Sequence, residues 1–463
     1  MDTKTNNLFK NISFCFINPP ILDYALYDLF ALPLGTLKTI KLLNYLGADI
    51  FYLDALDKNF DSSFFEKSAI KPTIKQNGTG KYWKKKVKPP EFLSFFPREF
   101  YRFGLDFAKI IEILKQNRNF DFIIITSVFT YHYLSLKILV EKIKENFPFS
   151  KTILAGIYPK LLNDHANKLG FDYVFDGSPF EFINFISKII SLNINSLEYF
   201  ENSNFIYQNQ DNKEIIPEWK FVQNLKYGII RTTSGCPFSC PYCASNILSG
   251  KFRLLPLDYS LSQLKYFSKN KIHNIAFYDD ALLINEKHFF DFIEKAEQID
   301  KNFSFYLPNA IHIAKATKEV LNKMVNFKMI RFGLESIKID DEKYGSKFTL
   351  TQLKKLISNL NETRISKEYI SFYILVGLPD QSYEEVEYTI KVALSLGIKP
   401  RIAEFSPIPK TPLFYKAKED IIKNKRDYIN LEEPLFQNPS IYPYVATEFT
   451  LENMKKLKNL IYN

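Results

Sequence analysis

An alternation of short apolar runs with amphipathic stretches limits how this chain can fold, and it occurs twice. In the first part the apolar runs are 13–17, 49–53, 122–125, 152–155 and 173–175. Between them Leu37, Ile40, Leu43 and Leu46, and then Leu136, Leu139, Val140 and Ile143, recur at helical spacing. Strand and helix in turn predict a parallel sheet with crossover helices, a Rossmann-like, doubly wound α/β domain over 1–190. The second series has apolar runs at 228–231, 274–278, 303–307, 329–332, 370–375 and 401–405, with helical stretches at 258–268, 286–299, 315–326, 350–361 and 382–396. Six β/α units predict a partial TIM-type (β/α)6 barrel over 223–410. A Pro-interrupted stretch and a closing helix near 451–462 form an extension over 411–463.

Two segments stand outside this alternation. Residues 57–106 form a long polar, aromatic and basic insertion, too long for a plain connection. Following a strand, it starts at the carboxyl edge of the sheet, where such folds place ligands, and it reads as a lid or docking loop or as a surface insertion. Residues 202–217 place NFIY and KEII on either side of QNQDN, a small hairpin within a linker over 191–222.

No run of about 18 uncharged apolar residues is present to span a bilayer, although 46% of the 463 residues are hydrophobic. The start, MDTKTNNLFKNISFCFINPP, shows no secretory pattern, so a cytoplasmic location is expected. The net charge of +10 accompanies abundant Lys, Asn, Ile and Phe, a bias spread over solvated faces, and no dedicated nucleic-acid surface is expected. Of the four cysteines, Cys15 lies alone in the apolar run SFCFIN and reads as a small buried hydrophobe.

The other three are concentrated in SGCPFSCPYCAS, directly after the first strand of the second series. Cys236, Cys240 and Cys243 have three and two residues between them, in a loop shaped by Gly235, Pro237 and Pro241. Structural zinc needs four ligands. No fourth cysteine is near, and the histidines are scattered at 132, 165, 273, 288 and 312. A cubane cluster on three thiolates leaves one iron open to substrate or cofactor. Polar or glycine residues also follow the later strands: Asp279 and Asp280, Asn309, Glu335 and Ser336, Gly377, then Glu404 and Ser406. In a β/α barrel these share the rim at the strands' carboxyl ends.

CxxxCxxC with aromatic Tyr242 before its last cysteine resembles the signature of the radical S-adenosylmethionine (SAM) superfamily. The resemblance implies a [4Fe-4S] cluster on Cys236, Cys240 and Cys243, with its open iron chelated by SAM. One electron then cleaves the sulfonium to give a 5′-deoxyadenosyl radical. It implies roles at further positions: Asp280 for the SAM amino group, although YDD stands where GGE is usual, Glu335 and Ser336 for the ribose or carboxylate, and Tyr242 and Gly377 beside the adenine. It also implies an electron donor such as flavodoxin or ferredoxin.

The amino-terminal half, with INPP, ALPLGTLKTIKLLNYLGADIFYLDA, ILAGIYP and VFDGSPFEFI, resembles the cobalamin (B12)-binding class of that superfamily. The DxHxxG motif that supplies a histidine to cobalt is absent. Cobalamin, if bound, is expected base-off and histidine-off at the carboxyl edge of the first sheet, between the Pro19 and Gly156 loops. With cobalamin the leading outcome is methylation of an unactivated carbon of a small molecule or biosynthetic intermediate. Without it, rearrangement, oxidation or sulfur insertion stays open. The alternatives are a methylthiotransferase-like RNA-modifying enzyme and a non-enzymatic, zinc-stabilised binding protein.

Overall fold

In the computed structural model, residues 7–192, 200, 203–209, 212–337 and 348–462 are described. The chain divides into two compact units, 1–225 and 226–463. Among the described residues no helix is long and apolar enough to cross a membrane.

The first unit is built on five parallel strands: β1 (Ser13–Asn18), β2 (Asp49–Asp54), β3 (Phe122–Ser127), β4 (Lys151–Gly156) and β5 (Tyr173–Phe175). Their order across the sheet is β5-β4-β3-β1-β2. The chain therefore reverses direction of winding between β1 and β3, which makes the carboxyl end of that pair the topological switch point. Phe14, Phe16, Ile124 and Ile153 are buried with Ile40, Leu43, Phe182 and Ile186 from the flanking helices. Each such side chain contributes about 1.5–3 kcal/mol through burial. Cys15 is fully buried in β1, and burial pushes its thiol pKa well up. The expected hairpin is present as Ile206–Asn209 paired with Asn212–Ile215, and Phe200, Phe205 and Ile215 are buried in this same core. Residues 202, 210 and 211 of it lie outside the described residues.

The insertion is folded. Phe100–Phe103 pairs antiparallel with both Ile21–Asp23 and Lys84–Val87. Ile21, Tyr82, Tyr101 and Phe103 form its own small core, and Phe65 stacks on Trp83 with centroids 4.2 Å apart. Buried Arg102 is neutralised by Glu66 and Asp106.

Gly156, expected to let a cofactor approach, is instead crowded by its own sheet. At φ 111°, a Cβ there would lie 2.3 Å from the Ser127 carbonyl oxygen. The glycine is required by the close packing of β3 and β4.

The second unit is a six-stranded parallel sheet: β6 (Gly228–Ile230), β7 (Asn274–Phe277), β8 (Ser304–Tyr306), β9 (Phe327–Glu335), β10 (Ile370–Val376) and β11 (Lys399–Glu404). The strands pair in chain order, β6 to β11, so the barrel is open between its first and last strands. One face, including Ile275, Phe277, Ile330, Phe332, Phe372 and Ile374, is buried, and Phe277 on it packs against Phe292 of the helix Glu286–Ile299. The other lines the barrel interior. Helices Glu286–Ile299 and Leu350–Asn361 fall where their periodicity places them. The helix expected at 315–326 starts only at Lys318, where Thr317 caps it by accepting from the Val320 N–H, and ends at Asn322.

Candidate functional site: a three-cysteine cavity at the barrel rim

The cysteine loop leaves β6 and returns through a two-residue antiparallel bridge, Thr233–Ser234 with Arg253–Leu254. Asp279, directly beyond β7, fixes its neck. Its Oδ1 accepts from the N–H and Oγ1 of Thr232 at 2.9 and 2.8 Å and from those of Thr233 at 2.6 and 2.8 Å. Burial raises the Asp279 pKa against the lowering effect of these hydrogen bonds. Farther along, Phe238 stacks on His312 at 3.8 Å between centroids. Pro241 accepts from the Leu413 N–H at 3.0 Å.

Cys236, Cys240 and Cys243 line one cavity of about 310 Å³ with Tyr242, Ser245, Asp280, Asn309, His312 and Tyr373. Ser245 links the third thiol to the rim: its N–H donates to Cys243 Sγ at 3.4 Å and its hydroxyl to Asp280 Oδ1 at 3.1 Å. Burial raises the Cys236 pKa, and negative charge on Cys240, Cys243 and Asp280 adds to the effect. A cationic centre that keeps the thiols ionised relieves that cost.

Among the described residues, no three His, Cys, Asp or Glu side chains are gathered tightly enough to hold a metal ion as they stand. Tetrahedral zinc wants sulfurs at about 2.3 Å from one point. Three thiols around a roomy cavity fit a multi-atom iron–sulfur cluster better.

The remaining expected residues divide. Tyr242 and Asp280 are in the cavity wall. Glu335 is buried and accepts from the Tyr242 hydroxyl at 3.0 Å; burial, then this carboxylate, raises the tyrosine's pKa far above its ordinary value. Ser336 is turned away, its hydroxyl donating to Glu385 Oε1 at 2.7 Å. Gly377 has φ 88°, and a Cβ there would meet Pro443 Cβ at 2.5 Å; the close neighbour that requires glycine is this proline. Sequence reasoning missed Ser245, His312 and Tyr373 as cavity residues. Ser245 alone carried a local signal, its position two residues beyond the last cysteine.

The Radical SAM superfamily profile matches residues 230–393. The chain carries a radical SAM domain. That superfamily uses a [4Fe-4S] cluster and SAM, which the three-thiol cavity with its polar rim suits. The chain is 25% identical over 266 residues to an uncharacterized methyltransferase of Pyrococcus horikoshii, covering 54% of this chain and 53% of that protein. It is 24% identical over 241 residues to the bacteriochlorophyllide d C-12(1)-methyltransferase of Chlorobaculum tepidum, covering 50% and 51%. The chain thus spans about half the length of these curated relatives. In fold it resembles the radical SAM methyltransferase TsrM from Kitasatospora setae, solved with tryptophan and a SAM analogue. The TM-score is 0.61 at 12% identity, over 88% of this chain and 76% of TsrM.

Proposed function

We propose that the chain is a radical SAM methyltransferase acting on an unactivated carbon of a small molecule, with cobalamin as a second cofactor. The observation that carries the reading is the convergence of Cys236, Cys240, Cys243 and Asp280 on one cavity within the radical SAM domain. Cys236, Cys240 and Cys243 would hold a [4Fe-4S] cluster, which when reduced would supply the electron that breaks the sulfonium C–S bond of SAM. A small protein donor of the flavodoxin or ferredoxin kind would deliver that electron.

The chain's own residues have positioning work. Asp280 accepts hydrogen bonds from the SAM ammonium, a charge-assisted contact. Tyr242 holds the Glu335 carboxylate at the rim. Asp279 keeps the loop's neck in place, so the three thiols are presented from a fixed base.

Methylation is favoured by relatives named as methyltransferases and by the TsrM-like fold. In the first unit, Val128 and Phe129 stand exposed just beyond β3 at the switch point, an apolar surface that a corrin would cover. Of the histidines in this region, His132 Nε2 lies 3.1 Å from Asp23 Oδ2, both buried, and His165 Nδ1 is hydrogen-bonded to the Tyr158 hydroxyl. The sequence lacks the DxHxxG motif that would supply a histidine to cobalt, so a bound corrin would be histidine-off.

The test is anaerobic reconstitution with iron and sulfide. Brown protein, a reduced-cluster EPR signal that changes with SAM, and 5′-deoxyadenosine formation are expected. Titration with hydroxocobalamin should saturate and give base-off, histidine-off spectra. Colourless zinc protein would overturn the radical SAM reading, and absent corrin binding would remove methylation from it.

A further inference from the structure

The barrel interior next to the cysteine cavity carries two arginines that, among the described residues, have no carboxylate partner. In register, Arg331 on β9 lies beside Ser371 on β10, and Tyr373 on β10 beside Arg401 on β11. Their neighbours Ile330, Phe332, Phe372 and Ile374 are buried on one face, so alternation turns Arg331, Ser371, Tyr373 and Arg401 to the opposite, interior face. Tyr373 is itself part of the cysteine cavity wall, and its hydroxyl donates to the Pro308 carbonyl at 3.1 Å.

Arg331 is only 7% exposed. It donates through Nη1 to Ser371 Oγ, while its Nε is buried with no partner among the described residues. The Arg401 Nε is likewise buried without one. Among the described residues neither arginine has an ion pair, although the chain forms many elsewhere. The two charges are near enough to oppose each other: burial first, then Arg401, lowers the Arg331 pKa to about 10, against the raising effect of a hydrogen bond with Tyr373. Burying a guanidinium without a counter-charge, next to another, is unfavourable by desolvation and by repulsion. An arrangement of this kind is stable when an anion completes it, and the planar fork of arginine matches the two oxygens of a carboxylate or phosphate.

We infer that Arg331 and Arg401 bind an oxyanion of the substrate, a carboxylate or a phosphate, in the barrel interior, holding its reacting carbon toward the cysteine cavity past Tyr373. The inference deepens the reading above and rests on it, since the interior is the substrate's place only if the cavity is the radical site.

The experiment is calorimetric titration of the anaerobically purified full chain with inorganic phosphate and, separately, with benzoate. Saturable binding of one probe is expected, and which one saturates identifies the anion. Arg401→Met should weaken it at least tenfold while leaving the thermal midpoint unchanged or higher, because the repulsion with Arg331 is relieved. Arg401→Lys, which keeps the charge, should recover part of the binding. Failure of both probes to saturate, or equal affinity in Arg401→Met, would overturn the inference. So would equal loss in both variants with a lowered midpoint, since that is the mark of a structural residue. The titration needs neither SAM nor reductant, so its failure leaves 5′-deoxyadenosine formation standing, and absence of deoxyadenosine leaves the titration standing.

Discussion

The Tyr242 hydroxyl donates to Glu335 Oε1 at 3.0 Å, tying the turn that carries the third cysteine to the last residue of β9. Glu335 has φ 54°, a left-handed conformation that a non-glycine residue holds only when its surroundings demand it. The pairing of β9 with β10 slips between Gly333 and Glu335, and that irregularity aims the carboxylate at the loop. Tyr242→Phe should therefore cost about 1.5–3 kcal/mol, the range for a hydrogen bond to a charged group. Denaturant unfolding of both proteins measures it, and an unchanged midpoint would mean that the contact contributes nothing.

Cys240→Ala should lose the cluster's absorbance and SAM cleavage, whereas Cys15→Ala keeps both. Two thiolates cannot hold three irons of a cubane while leaving only one site free. Cys15 lies inside β1 between β2 and β3, away from any cavity role. Iron content and deoxyadenosine yield decide the matter, and deoxyadenosine from Cys240→Ala would refute the assignment.

Why some of this was legible in the sequence and some was not has a physical basis. The main strands declared themselves because both sheets are buried and need apolar runs such as FCFI and FIII. The cysteine loop was legible because thiol spacing is a local property. The insertion was not, since Lys84–Val87 is a KKKV strand with no apolar run to mark it. Ser336 and Gly377 were read as rim residues, but their surroundings come from Glu385 and Pro443, far along the chain. Arg331 is hidden within the apolar run KMIRFGL, and only the pairing of β9, β10 and β11 sets it near Arg401.

Asp54, at the carboxyl end of β2, gives the first unit a pH dependence. Burial raises its pKa to about 6, against hydrogen bonds from Asn18 and the Leu56 N–H. The folded chain thus holds this proton more tightly than the unfolded one. Its contribution is full below the ordinary carboxylate range and is lost as pH rises to about 6. Asp54→Asn keeps an acceptor for Asn18 and cannot ionise. Thermal midpoints from pH 4 to 7 should fall less steeply in the variant, and parallel curves would show that Asp54 is not the titrating group.

The neighbouring carboxylates Asp279 and Asp280 should separate cleanly into support and binding. Asp279 is 4% exposed, and four donors from Thr232 and Thr233 converge on one of its oxygens. Asp279→Ala leaves those donors without their acceptor, and stability should drop by about 3 kcal/mol or more. Asp279→Asn, which retains an acceptor oxygen, should recover part of that. Asp280 faces the cavity and receives only the Ser245 hydroxyl among the described residues. Asp280→Ala should keep the fold and the iron but weaken SAM binding by about 1.5–3 kcal/mol, the worth of a hydrogen bond to a charged group. Equilibrium dialysis of SAM alongside denaturant unfolding reads both effects on the same preparations. Were Asp280→Ala to unfold while Asp279→Ala merely lost SAM, the two residues would have exchanged roles and the geometry of the rim would have to be read the other way round.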